Sequence, residues 1–92
     1  MPSSAADRVD CFSVLSAADP SALPRILEVF TLFGLVPSRC HSARDGIDRS
    51  QLVVDLQFDD LAPGQARHLA RRLGRVITVT QVLWSEKQRA AA

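Results

Sequence analysis

Between residues 11 and 84 two hydrophobic rhythms alternate in an order that few small folds accommodate. A strand-like run leads to a helical stretch, then two strand-like runs flank a polar turn, and a second helical stretch leads to a final strand. Residues 11–16 (CFSVLS) supply the first strand. Asp19 and Pro20 then open a helix, because the aspartate can accept hydrogen bonds from free first-turn N–H groups and proline loses nothing there. Leu23, Ile26, Leu27, Phe30 and Phe33 recur at three- and four-residue spacing and line one helical face. Gly34 offers the permissive backbone of a C-terminal cap.

Residues 35–44 (LVPSRCHSAR) read as a weakly patterned strand, and Asp45-Gly46-Ile47-Asp48-Arg49 as a hairpin turn. In 50–58 (SQLVVDLQF), Leu52, Val54, Leu56 and Phe58 share one face. Ala62-Pro63-Gly64 opens a second helix, with Ala66, Leu69, Ala70 and Leu73 on its apolar side and Gly74 at its end. Residues 75–84 (RVITVTQVLW), rich in β-branched types, form the last strand. The βαββαβ order predicts an α+β domain, a four-stranded antiparallel sheet with both helices on one face. Pro37 removes a ladder donor and places the second strand at a sheet edge. Val14, Val53, Ile77, Val79 and Leu83 exceed what one buried face needs, which predicts that part of the second face meets another chain.

A chain of 92 residues holds one domain, burying about two-thirds of its unfolded surface. The domain is expected to span 10–84, with flexible ends at 1–9 and 85–92. A formal net charge of +1 provides no global field to hold a polyanion. Cys11 and Cys40 have no metal-type spacing and read as buried, reduced thiols. With neither a signal-peptide core nor a long apolar span in the sequence, a cytoplasmic protein without membrane contact is expected.

Catalytic chemistry finds no foothold. His41 and His68 lack a Cys or Ser partner at motif spacing and read as solvated or structural side chains. Asp59 and Asp60 precede the second helix, where its dipole favours negative charge, so capping explains them. No phosphate loop, GxGxxG, CxxC or HExxH occurs, so a non-enzyme without metal or cofactor is expected. The second helix concentrates Arg67, His68, Arg71, Arg72 and Arg75 with no acid among them. RNA-recognition domains share the element order but read bases with aromatic residues on the first and third strands. Here the third strand offers only Phe58 and no basic-Gly-aromatic run, which weighs against nucleic acid. A solvated face, or a contact made by Arg67, Arg71, Arg72 and Arg75 with an acidic partner, accounts better for the arginines.

The string Asp19-Pro20-Ser21-Ala22-Leu23-Pro24-Arg25-Ile26-Leu27-Glu28-Val29-Phe30, followed by Phe33-Gly34-Leu35, resembles the start of ACT domains. Leu73-Gly74-Arg75-Val76-Ile77-Thr78-Val79-Thr80-Gln81-Val82 is similar to the helix-to-strand ending of the acetolactate synthase small (regulatory) subunit. The resemblance implies a ferredoxin-like fold, an amino-acid-sensing regulatory module and a homodimer. It also implies a larger catalytic subunit as partner, in branched-chain amino acid biosynthesis. Carried onto this chain, the ligand-binding positions are Ala18, Asp19, Pro20, Ser21, Ala22 and Leu23, with Arg39, Cys40, His41 and Ser42 closing the site from the partner. Ala18 stands where the family usually has a small polar residue, and Ser21 where it usually has glycine. A ligand-free dimeric interaction module is the alternative, with an RNA-binding βαββαβ domain behind it.

Overall fold

The computed structural model describes residues 8–88. It contains β1 (Arg8–Ala17), α1 (Ala22–Thr31), β2 (Arg39–Asp45), β3 (Gln51–Phe58), α2 (Gln65–Leu73) and β4 (Val79–Gln88). The sheet order is β2-β3-β1-β4, and every neighbouring pair is antiparallel. The expected α+β, ferredoxin-like βαββαβ architecture is therefore the observed one. The first and last strands extend further than hydrophobicity indicated, since β1 begins at Arg8 and β4 runs to Gln88. Of the expected flexible ends, 8–9 and 85–88 are strand, while 1–7 and 89–92 lie outside the described residues.

Period-two alternation builds the core. Phe12 and Val14 of β1 and Val54, Leu56 and Phe58 of β3 turn inward beneath Ile26, Val29 and Phe30 of α1 and Ala66, Leu69 and Leu73 of α2. Three phenylalanines meet at the centre: Phe30 stacks on Phe58 at 4.5 Å, and Phe12 stands edge-on to them at 5.5 and 6.0 Å. Such pairs contribute about 0.5–1.5 kcal/mol each beyond the area they bury. The end of α1 is a Schellman motif in which the Leu35 N–H donates to Phe30 O (3.1 Å) and the Gly34 N–H to Thr31 O (2.9 Å), with Gly34 at φ 68°. Phe33 consequently falls beyond the helix, 39% exposed, rather than on the apolar face where spacing put it.

Several sequence expectations change for identifiable reasons. Leu35, Val36 and Pro37 form the connection to β2, so Pro37 precedes the strand, although β2 is the edge. Arg75–Thr78 form a turn, and the register of β1 with β4 shifts between Leu15 and Ser16. That bulge carries Val79 to the helix-covered side, where it packs on the core. Val14 is fully buried there too, and Ile77 stands in the turn, 85% exposed. Of the five apolar residues expected to burden the second face, only Val53 and Leu83 remain on it. The N-cap of α2 is Gly64 (φ 81°), with Gln65 Oε1 accepting from the Ala62 N–H at 3.0 Å, so Asp59 and Asp60 stand ahead of the cap position and not at it.

One polar group lies where the alternation calls for an apolar one. Asp10 is 1% exposed on the helix-covered face of β1. Its Oδ1 accepts from Trp84 Nε1 (3.1 Å), and its Oδ2 lies 3.4 Å from Arg8 Nε. Arg8 in turn donates to the Leu61 carbonyl at 2.9 Å, tying β1, β4 and the approach to α2 together.

Candidate functional site

The β1–α1 connection is held by backbone bonds on both sides. The Ala17 N–H donates to Thr78 O (2.9 Å) and the Ala18 N–H to Ser50 O (2.8 Å). Asp19 Oδ2 then accepts from both the Ser21 N–H (3.3 Å) and Ser21 Oγ (2.9 Å), while the Ala22 N–H reaches Asp19 O at 2.9 Å. Pro24 has no N–H, and the Arg25 N–H returns to Ser21 O. Among the described residues, the first turn of α1 therefore leaves one N–H without a protein acceptor, that of Leu23. The Asp19 carboxylate does not cap the first turn as its sequence position implied: the helix starts at Ala22, later than expected, and the carboxylate bonds Ser21, the N-cap residue, placing negative charge where a ligand carboxylate would approach.

Arg39, Cys40, His41 and Ser42 lie along β2, opposite Gln57, Leu56, Asp55 and Val54. Through β3 these residues are level with the start and middle of β1, since Gln57 faces Cys11 and Val54 faces Val14. Ala18–Leu23 leave the other end of β1. Within one chain the two predicted halves of the ligand site therefore do not meet, and a site built from both requires two copies.

The uncovered sheet face is more polar than the sequence suggested. Its rows run Arg39–Gln57–Cys11–Ser85 and His41–Asp55–Ser13–Leu83 across β2, β3, β1 and β4. Together these side chains line a shallow depression. Sequence reasoning overlooked Ser13, Asp55 and Gln57, because only strand register reveals that they neighbour Arg39 and His41. Both cysteines are free, but neither is the buried thiol expected: Cys11 is half-buried on the open face and Cys40 is exposed at the edge. β2 is short and outermost, so nothing among the described residues covers Cys40.

The arginines of α2 and of the turn after it separate, with Arg71 exposed outside both of the depressions that take the others. Arg67 lines a depression with Arg8, Asp10, Trp84 and Glu86. Arg72 and Arg75 instead join Arg25 and Glu28 along a groove between α1 and α2. Arg72 stacks over the Phe33 ring at 5.4 Å, with His68 edge-on to the same ring at 5.6 Å. Thus His68 is not merely solvated; it packs against the ring that α1 contributes beyond its end.

Among the described residues no three His, Cys, Asp or Glu side chains gather to hold a metal ion. No helix among them is long and apolar enough to cross a membrane.

No curated protein matches the sequence. Among solved structures, the ACT domain from the GTP pyrophosphokinase of Chlorobium tepidum superposes with a TM-score of 0.69 at 13% identity, covering 84% of this chain and 96% of that one. The C-terminal domain of the MgtC protein from Mycobacterium tuberculosis gives 0.64 at 15% identity, covering 98% of each chain. A formyltetrahydrofolate deformylase from Pseudomonas putida KT2440 gives 0.59 at 12% identity, with 88% of this chain covering 29% of that enzyme. At these identities the likenesses establish the fold. The sequence itself, over residues 3–91, matches the model of the ACT-like domain. The chain therefore belongs to the ACT-like domain family of regulatory, small-molecule-binding modules.

Proposed function

We propose that this chain is an amino-acid-sensing module that works as a two-fold dimer and regulates a larger enzyme. The observation that supports it most is β2, an edge strand whose seven residues are all exposed. Antiparallel pairing of β2 with its own copy about Ser42 sets Arg39 against Asp45 twice, with opposite charges facing each other on the open side of the sheet. It also satisfies backbone groups that an open edge leaves unpaired.

That pairing accounts for the separation of the two site halves. Asp45, Gln51 and Ala17 are level at one end of the sheet. A second copy paired through β2 brings its Arg39–Ser42 to that same end, towards the Ala18–Leu23 connection. There the Asp19 oxygen not engaged by Ser21 suits an ammonium group and the Leu23 N–H a carboxylate, and the second copy's Cys40 and Ser42 lie on the same helix-covered side of the sheet as α1. A carboxylate oxygen beside a free N–H matches a zwitterion better than a simple anion. None of the solved structures named above is an acetolactate synthase subunit, so the narrower identification of the enzyme rests on what co-purifies with the chain.

The test is sedimentation together with a thermal scan against each of the twenty amino acids. A ligand at about 100 times its Kd adds about 2.7 kcal/mol, which moves the Tm of a domain this size by roughly 10–20 °C. A dimer whose Tm rises with a particular amino acid is the expected result. A clean monomer at micromolar concentration overturns the proposal, and a dimer unmoved by millimolar amino acids favours a ligand-free interaction module.

A further inference from the structure

The groove between α1 and α2 has a composition that neither the amino-acid site nor the sheet edge explains. Arg25, Arg72 and Arg75 line it with a single acid, Glu28, and none of these arginines lies within ion-pair distance of a carboxylate among the described residues. Val29 and Val76 form its apolar lining, while Leu32 and Ile77 stand on it 64% and 85% exposed. Arg72 is fixed by the Phe33 ring, and its Nε is buried without a hydrogen-bond partner. Part of the ordering cost of a docking arginine is thus already met before any partner arrives.

We infer that this groove docks an acidic amphipathic helix of another protein, with apolar side chains against Val29, Leu32, Val76 and Ile77 and carboxylates on Arg25, Arg72 and Arg75. Exposed aliphatic groups beside arginine are the composition of an interface centre, where arginine is enriched and lysine depleted. A helix laid between two helices offers anchors at i, i+3, i+4 and i+7. A second copy of this chain is the wrong occupant. A two-fold contact through the groove would set one copy's arginines against the other's, repelling where β2 pairing attracts. This docking surface goes beyond the sensing proposal and does not depend on it.

The probe is a labelled, stapled helical peptide with Leu at i, i+3, i+4 and i+7 and Glu on both flanks, titrated into the full chain by fluorescence anisotropy. Saturable binding in the micromolar range is expected, weakening by at least about tenfold when salt is raised until the Debye length is a few Å. The double variant Arg25→Glu/Arg75→Glu should lose about tenfold or more. Arg67→Glu, outside the groove, should change affinity by less than about twofold, and amide shifts should map to α1, α2 and 75–77. Circular dichroism and melting of each variant establish that it folds. The inference is overturned by no saturable binding, by equal binding of a peptide with Lys in place of Glu, or by shifts confined to the sheet. It is also overturned if inorganic pyrophosphate occupies the groove while the peptide does not, which would make it a small-anion site. A changed oligomeric state in Arg25→Glu/Arg75→Glu would make it a contact between copies and refute the inference equally.

Discussion

Reversing one charge at the end of β2 tests the dimer without touching the core. In the two-fold pairing proposed above, Asp45→Arg replaces two Arg39–Asp45 attractions by two Arg–Arg repulsions. Directly opposed charged pairs on a sheet are each worth roughly 0.2–1 kcal/mol, and like charges cost a similar amount. Two pairs changing sign therefore weaken the dimer by about 2.4 kcal/mol, taking the middle of that range, or about sixtyfold in Kd. Both residues are exposed, and neither side chain makes a hydrogen bond or ion pair to another described residue, so the monomer fold should be unaffected. Arg39→Asp alone should weaken the dimer by the same amount. The exchange Arg39→Asp/Asp45→Arg restores opposite charges at both pairs and should recover most of the loss. Sedimentation equilibrium of the four proteins at low and high salt is the measurement. If the exchange is no tighter than either single variant, or if both singles dimerise like the parent, β2 does not pair with itself in this register.

Two further outcomes concern the monomer. Asp10→Ala leaves Arg8 without its carboxylate and Trp84 Nε1 without its acceptor. Breaking a buried pair costs about 3–5 kcal/mol, and the lower end applies because the Arg8 side chain is 27% exposed. The denaturation midpoint should fall accordingly, and a change within about 0.5 kcal/mol would show that the pair does not hold the strands. Asp48 provides a pH signature: hydrogen bonds from Ser50 hold its carboxyl below the ordinary value. A folded-state pKa lower than the unfolded one gives stability that is present above the unfolded value and lost as pH falls through the folded one. NMR titration should therefore find Asp48 titrating below a free aspartate, and Ser50→Ala should return it upwards. An unmoved titration would rule out the Ser50 hydroxyl as the cause and leave the backbone N–H, which the variant keeps.

The element order was readable because each segment carried its own period: alternation in 51–58 and the i, i+3, i+4, i+7 spacing in α2 are local properties. What escaped was information held between segments. The bulge opposite Leu15 and Ser16 inverts the parity of β4 and sends Val79 inward, which no count of alternating residues within 75–84 could show. Asp10 escaped because a charged residue ahead of an apolar run reads as solvent-facing until Trp84 and Arg8 are placed beside it. Of the candidate site, the Ala18–Leu23 connection could be located by its helix-start residues, but not the satisfaction of its N–H groups by Asp19. The four arginines were found as a cluster along one helix. That Arg72 and Arg75 share their groove with Arg25, while Arg67 belongs elsewhere, depends on how α1 and α2 pack.

The two proposed surfaces are compatible in a way that bears on regulation. Pairing through β2 uses an edge of the sheet, whereas the arginine groove lies in the helix layer between α1 and α2. A dimer formed by the edge therefore leaves two grooves open, each on the same face of one continuous sheet. If both copies engage acidic helices of one enzyme assembly, the second contact forms at the effective concentration set by the first, and a weak groove becomes a firm attachment. An amino acid seated where α1 begins would then touch the same helix that lines the groove through Arg25, Glu28, Val29 and Leu32. Coupling requires the ligand to bind the docked and undocked states with different affinity, and reciprocity makes that measurable from either side. The acidic peptide should raise the affinity for the amino acid by the same factor as the amino acid raises affinity for the peptide. An affinity for the amino acid that is the same with and without saturating peptide would refute the coupling.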